Sequence, residues 1–416
     1  MITEILRKDS EVIATTKKLL PLVLKSSLFM TVCSIFVIWF YLSTLGRLDV
    51  FTDSIGFSSL LGIVFGFTVV AFSSFCILIF IPSLMLILIV SGYAKSFFNS
   101  SSIKQSIIKT AFLNSWSFGF IIIASFCAYN VNQKNKIIFL ASSFILILIA
   151  SYFFTHWELH EKKGNKSIKP RIKIKTSSKI KLSLSITTPA IIQIIPFSIL
   201  LSKMTFQQQD SDLIQIICVF LLFLSFATIS LMPGIQFLTE FKKSRLIRNI
   251  LLTASLAASG VIILTILVPI IPLMITNMAM SLAGIADWRE HQYTIKNEVF
   301  LHSMFPGQQW NTRYYADIPD RFFITGITMF SFGDIKLICP TSVRQVQLEN
   351  MKFNFKNPEE NLGKSKDFKS AAMPCFPIDK KDIKQWDIPL STPIYYEKVR
   401  LTTPHSPTDI FQYLKR

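Results

Sequence analysis

Apolar residues run almost unbroken for 19 to 40 positions at a time as far as residue 285, and only in short stretches beyond it. Seven such segments can be marked: residues 26–45, 55–94, 111–129, 137–155, 182–202, 213–239 and 250–285. About 20 apolar residues suffice for one helical crossing of a bilayer. The pattern therefore predicts an all-α transmembrane bundle of about seven helices. The second segment is the ambiguous one. As a straight helix it would span roughly 60 Å, about twice the bilayer core. We expect it to make one crossing, kinked at Pro82 or partly re-entrant, and not a hairpin of two.

From residue 286 the pattern changes. Short β-type runs recur at 293–301, 321–332, 334–339, 351–355 and 393–401, and Gly333-Asp334 between two of them is a hairpin-like turn signal. Residues 357–370 are polar and charged and read as a surface loop. Ser406-Pro407 is a start signal for a short final helix at about 408–415. The expected architecture is the helical bundle (26–285) followed by a β-rich α+β domain (286–416). The segment before the bundle, 1–25, sets Ile2, Ile5, Leu6, Val12, Ile13, Leu19 and Leu20 among charged residues. It reads as an amphipathic cytoplasmic segment, and no small-residue cleavage site follows the first apolar run.

Charge adds orientation. Twenty-one Lys and Arg residues fall in four stretches: Arg7 to Lys25, Lys95 to Lys109, Lys162 to Lys181, and Lys242 to Arg248. The intervening loops hold four, namely Arg47, Lys134, Lys136 and Lys203. Basic residues near helix ends stay on the cytoplasmic side, which puts the N-terminus inside. A two-crossing reading of 55–94 would move the nine-charge 162–181 loop outside. Seven crossings then place the C-terminal domain in the periplasm of a bacterial inner membrane. The chain is 51% hydrophobic, 16% charged and carries a formal net charge of +18. That surplus sits in the cytoplasmic loops, where anionic lipid accounts for it, so nucleic acid is not an expected partner.

Cysteine usage points the same way. Cys33, Cys76, Cys127 and Cys218 lie in apolar segments, whereas Cys339 and Cys375 lie in the polar tail. A lone pair in an oxidising compartment reads as a disulfide, closing a loop of about 37 residues and worth roughly 3–4 kcal/mol on the chain-entropy estimate.

Chemistry is sparse. No Asp, Glu, Lys or Arg occupies a central turn of any apolar segment, which counts against proton- or ion-coupled transport. Gln193, between Pro189 and Pro196, is the candidate intramembrane polar site, either at a broken helix or as an amide bonding a neighbour. Gly62 and Gly66 form a G-x-x-x-G and are candidate helix-packing positions. Trp310, Arg313, Tyr314 and Tyr315 have the composition of a partner-binding hot spot, and equally of a small domain's core. Asp287, His291 and His302 invite a metal or acid/base reading, but they lack the ligand number and spacing of a zinc site. Trp288 and Arg289 suit the membrane interface. No nucleophile or phosphate-binding motif occurs. The expectation is no catalytic residue, no metal and no cofactor.

These readings converge on a non-catalytic membrane protein whose partners are the bilayer and another protein. The specific expectation is an immunity protein guarding the cell against a membrane-acting or periplasmic toxin. An accessory or assembly component of a cell-envelope or secretion complex is the alternative, ahead of a membrane enzyme or transporter.

Overall fold

The computed structural model describes residues 27–54, 58–92, 101–121, 124, 133–161, 176–205, 212–240, 246–354, 357–387 and 394–395. The expected 1–25 segment, the 408–415 helix and most of the 393–401 strand lie outside them. The described chain is mostly helical, with one antiparallel sheet near its C-terminus. Among the described residues eight helices of 13 residues or more come first: α1 (Ser27–Leu45), α2 (Ser58–Gly92), α3 (Ser101–Phe118), α4 (Gln133–Glu161), α5 (Thr176–Leu201), α6 (Asp212–Glu240), α7 (Leu246–Leu267) and α8 (Ile270–Leu282), with a short helical turn at 48–54 after α1. Five of them, α1, α2, α5, α6 and α7, are long and apolar enough to cross a membrane, and α4 and α8 carry shorter apolar stretches.

Of the segment 55–94, the described residues form one helix over Ser58–Gly92 with Pro82 inside it, in line with a single helix and not a hairpin. Two other segments differ from expectation. The apolar run 250–285 is divided at Val268-Pro269 into α7 and α8, because a proline within a helix removes an i→i−4 hydrogen bond and clashes with the preceding turn. The 111–129 segment does not define its helix. Instead α3 begins ten residues earlier, at Ser101, and residues 122–123 and 125–129 lie outside the described chain.

The sheet is built from β1 (Asp287–Lys296), β2 (Arg313–Tyr315), β3 (Ile318–Phe332), β4 (Ile335–Cys339), β5 (Phe376–Asp379), β6 (Ile383–Gln385) and β7 (Ile394–Tyr395). Its main path runs β5-β4-β3-β1-β6, with β2 pairing both β3 and β7. Gly333, at φ +60°, makes the β3–β4 turn. Two helices flank the sheet, α9 (Val343–Asn350) and α10 (Pro358–Ala372). The second corrects the expected loop at 357–370. Asn357 caps it by accepting from the Glu360 N–H (3.2 Å), and Pro358 sits in its first turn, a start signal that the run of charges obscured. Of the expected strand at 351–355, residues 351–354 show only an isolated bridge at Phe353, and 355 lies outside the described residues.

The chain divides into two compact units, residues 1–72 with 272–416, and residues 73–271. In the first, α1 belongs to the core of the C-terminal domain. Ile38, Tyr41, Leu42 and Leu45 of α1 are buried with Ile327, Met329, Phe330 and Leu337 of the sheet, Met280 of α8, and Val343, Phe368 and Ala372 of the flanking helices. A second cluster on the sheet joins Tyr293, Ile295, Phe322 and Ile324 to Phe305 and Trp310. The central strand β3 is therefore buried on both faces. In the second unit, Leu86, Val90, Ile107, Ala111, Ile186, Leu231 and Leu238 make a core between α2, α3, α5 and α6.

Candidate functional site

The densest polar cluster lies where β1 begins. Gly284, at φ +69°, ends α8, and the Ile285 and Ala286 N–H groups turn back to Met280 O. The strand starts directly afterwards, at Asp287. His291 sits between two carboxylates: Nε2 is 3.1 Å from Asp287 Oδ2, and Nδ1 is 2.8 Å from Asp387 Oδ2. Arg289 forks onto Asp287 through Nε (3.0 Å) and Nη2 (2.9 Å), holding that carboxyl well below the usual range despite the opposing effect of burial. At Asp387 burial pushes upward, but donation from Gln385 Nε2 (2.7 Å), the Gln292 N–H (3.0 Å) and His291 leaves the net shift downward. Both carboxylates are thus taken up by donors from β1 and β6. The arrangement ties the sheet edge together. His302 is exposed and plays no part in it. Among the described residues no group of three or more His, Cys, Asp or Glu is placed to hold a metal. Next to the cluster, Lys336 Nζ stands 4.6 Å from the Tyr293 ring centroid. Burial lowers that ammonium and pushes the Tyr293 phenol up to about 12.

Most of the aromatic segment after β1 is interior, the domain-core alternative of its two readings. Trp310 is 2% exposed and meets Phe305 edge-on at 5.3 Å, and Gly326 leaves room for its ring against β3. Arg313 is buried too, its Nη1 donating to Asn311 O (2.8 Å) and Thr325 Oγ1 (2.9 Å). Tyr315 stacks edge-on with Phe323 at 4.8 Å, and Tyr314 is half-buried. A buried guanidinium needs its donors satisfied, and neighbouring backbone and hydroxyl oxygens do this here.

Gln193 lies in an unbroken turn, because α5 is continuous through Pro189 and Pro196. Its Nε2 donates to Ala227 O (3.2 Å) and Ser230 Oγ (2.8 Å) of α6, while Oε1 has no partner among the described residues. One turn further along α6, a hydroxyl from α2 enters the helical ladder. The Gly234 N–H, whose ordinary acceptor is Ser230 O, donates to Ser83 Oγ (2.9 Å), and Ser83 Oγ donates to Ser230 O (2.6 Å). Such contact needs glycine: a Cβ at Gly234 would meet Ser83 O at 2.8 Å. Gly62 and Gly66 have nothing within 4 Å of a Cβ, so the G-x-x-x-G makes no close helix contact among the described residues, where the close approaches fall at Gly119, Gly234 and Gly260. Periodicity could not find Gly234. Its one sequence signal is a Pro-Gly pair inside an apolar run.

Two anchors join α1 to the domain. The buried Tyr41 hydroxyl donates to Met329 O at 2.6 Å. That carbonyl is available because β3 bulges between Thr328 and Phe330 and leaves Met329 out of the β4 register. Arg47 forks onto Asp49 (Nε–Oδ1 3.0 Å, Nη2–Oδ2 2.7 Å), and its Nη1 donates to the carbonyl of Cys375. The Arg47 hydrogen bond holds the Asp49 carboxyl below its usual range. Cys375 is joined to Cys339 with Cα atoms 4.1 Å apart, so the staple lies beside the anchor. Of the exposed apolar side chains, Val299, Leu301 and Met304 cluster in the turn that follows β1. No family model, curated protein or solved structure matches the chain.

Proposed function

We propose that this is a polytopic membrane protein that acts by binding, with its C-terminal domain held outside the cytoplasm and presented to a protein partner. The observation carrying this reading is the exposed apolar turn Val299–Leu301–Met304. It follows a ten-residue strand that leaves the end of α8, and ten residues of strand extend about 33 Å. On this reading the strand carries these three exposed apolar side chains away from the lipid, and neighbouring exposed apolar residues of this kind mark protein contact sites. The anchoring of the domain through Tyr41 and Arg47 supports this. A domain fused to the end of a membrane helix holds its far turn at a fixed height, with little ordering cost on binding.

The orientation has support as well. The C-terminal ends of α1 and α8 meet in one domain core, so the two helices leave the membrane on the same side and an odd number of crossings includes both. With the basic stretches inside, that side is the outer one.

Immunity against a toxin acting at the membrane is the most specific form of this reading, and a permanent envelope complex is the other. A co-culture of a deletion strain with its parent separates them. Selective killing or depolarisation of the deletion strain, reversed by the gene but not by a variant carrying V299S, L301S and M304S, is expected for immunity. Equal survival, with stoichiometric co-purification of an envelope protein, assigns the second.

A further inference from the structure

We propose that the helical pair α9–α10 is an interfacial lipid-binding element, with the exposed stripe of α10 seated in the headgroup and upper acyl layer of an anionic bilayer. Leu362, Lys366, Lys369 and Met373 recur at i, i+4, i+7 and i+11, which places them on one face of α10 and just past its end. All four are exposed, Leu362 at 63% and Met373 at 70%. The adjoining side of the helix carries Phe368 and Ala372, which are buried with Leu45 and Val50.

Two contacts fix where this stripe points. The aliphatic stem of Lys369, a stripe residue, covers Gly46, the residue after α1; a Cβ at Gly46 would meet Lys369 Cγ at 3.0 Å. The stripe therefore turns toward the membrane end of α1 and not away from it. At the base of the pair, Met351 Sδ lies 3.2 Å from Asn277 Nδ2 of α8. Asn277 is three residues before Met280, the α8 residue in the domain core, so this contact lies about one turn beyond that core along the helix. The pair thus reaches alongside two helices that the proposed function places in the bilayer, and this inference rests on that placement. Lys364 is held by Glu360 at 2.6 Å, which leaves Lys366 and Lys369 to meet lipid phosphates. Lysines with long stems between two large apolar side chains are what an interfacial helix requires, the stems lying in the apolar layer and the ammonium groups at the headgroups. On α9, Leu348 is 49% exposed on the same outer side of the sequence as Arg344, one turn earlier.

The test uses the full chain in nanodiscs of phosphatidylglycerol and phosphatidylcholine. Spin labels are placed one at a time by L362C, M373C, L301C and F36C, with Cys33, Cys76, Cys127 and Cys218 changed to Ala and the disulfide kept. Labels at 362 and 373 are expected to be relaxed several-fold better by oxygen than by a water-soluble nickel chelate, as at 36, while 301 shows the reverse. K366E together with K369E should reduce that preference in anionic discs and leave 36 unchanged. If 362 and 373 behave like 301 while 36 stays in lipid, the interfacial element is wrong and the membrane reading stands. Water-like behaviour at 36 overturns both. Labels at 362 and 373 that neither agent reaches put a protein partner or second copy on this face and overturn the lipid assignment. If the cysteine-free background does not fold, benzoylphenylalanine at 362 in the native chain gives the same decision, through a lipid or a peptide adduct.

Discussion

Tyr41 shows how one hydroxyl joins two structural levels. Its ring is buried among sheet and helix side chains, and its proton satisfies a carbonyl that a bulge has removed from the strand ladder. Y41F keeps the ring and orphans Met329 O, so it should destabilise the docked domain by about 1–3 kcal/mol. The check is faster amide exchange across β3 and β4 with α6 unchanged. Gly234 makes the same argument in reverse. G234A drives a methyl into the Ser83 backbone, for which about 1–3 kcal/mol of loss is expected in thermal unfolding in detergent. G62A and G66A fill open space, so they should be neutral or slightly stabilising. The β1 cluster has a pH signature. Asp287 and Asp387 both titrate lower in the folded chain than the value near 3.9 of an unfolded one. Their contribution is therefore complete above about pH 5 and is lost as pH falls through the folded values. Urea midpoints of the domain between pH 6 and 2.5 should fall at the acid end, and D287N should flatten the profile. Sequence alone singled out Asp287 and His291 but paired them with His302. Asp387, 96 residues from His291, arrives through the β1–β6 pairing, and no local pattern announces it.

Elements were legible in proportion to how local their causes are. The helices α1, α5 and α6 follow their apolar runs to within a few residues, since continuous apolar sequence leaves the backbone no other way to satisfy its hydrogen bonds in lipid. The β3–β4 hairpin is equally local, set by Gly333 and the β-type apolar runs on either side. The helix α10 was misread because its charges outweighed its cap. Asn357-Pro358-Glu359-Glu360 is a start signal whatever follows it, with two acidic residues in the first turn favoured by the helix dipole. N357A should cost about 1 kcal/mol and loosen the first turn of α10, seen as faster exchange at the Glu360 and Asn361 amides. The aromatic segment 305–315 was undecidable from composition, because a hot spot and a core use the same residues. Burial of Trp310 beside Gly326 decides it, and that contact spans 16 residues of sequence.

At the scale of the whole molecule, residues 1–72 and 272–416 form one unit, and this carries the topology argument furthest. Charge counting places the basic stretches inside without saying which helix ends are neighbours. The shared core of Leu45, Met280, Phe330 and Phe368 does so independently, since α1 and α8 both deliver their C-terminal ends to it. The two arguments use different residues and could have disagreed. Their agreement predicts the outcome of alkaline phosphatase fusions, which fold only outside the cytoplasm. Fusions after Lys203 and at the C-terminus should be active, and one after Lys175 should be silent. On the proposed orientation the nine positive charges between 162 and 181 are what keep that last site inside, so replacing them with Gln should raise its activity. An active fusion at Lys175 in the unaltered chain, beside a silent C-terminus, would invert the orientation while keeping α1 and α8 parallel. The disulfide would then face a reducing compartment, and thiol labelling of Cys339 and Cys375 in intact cells would report it.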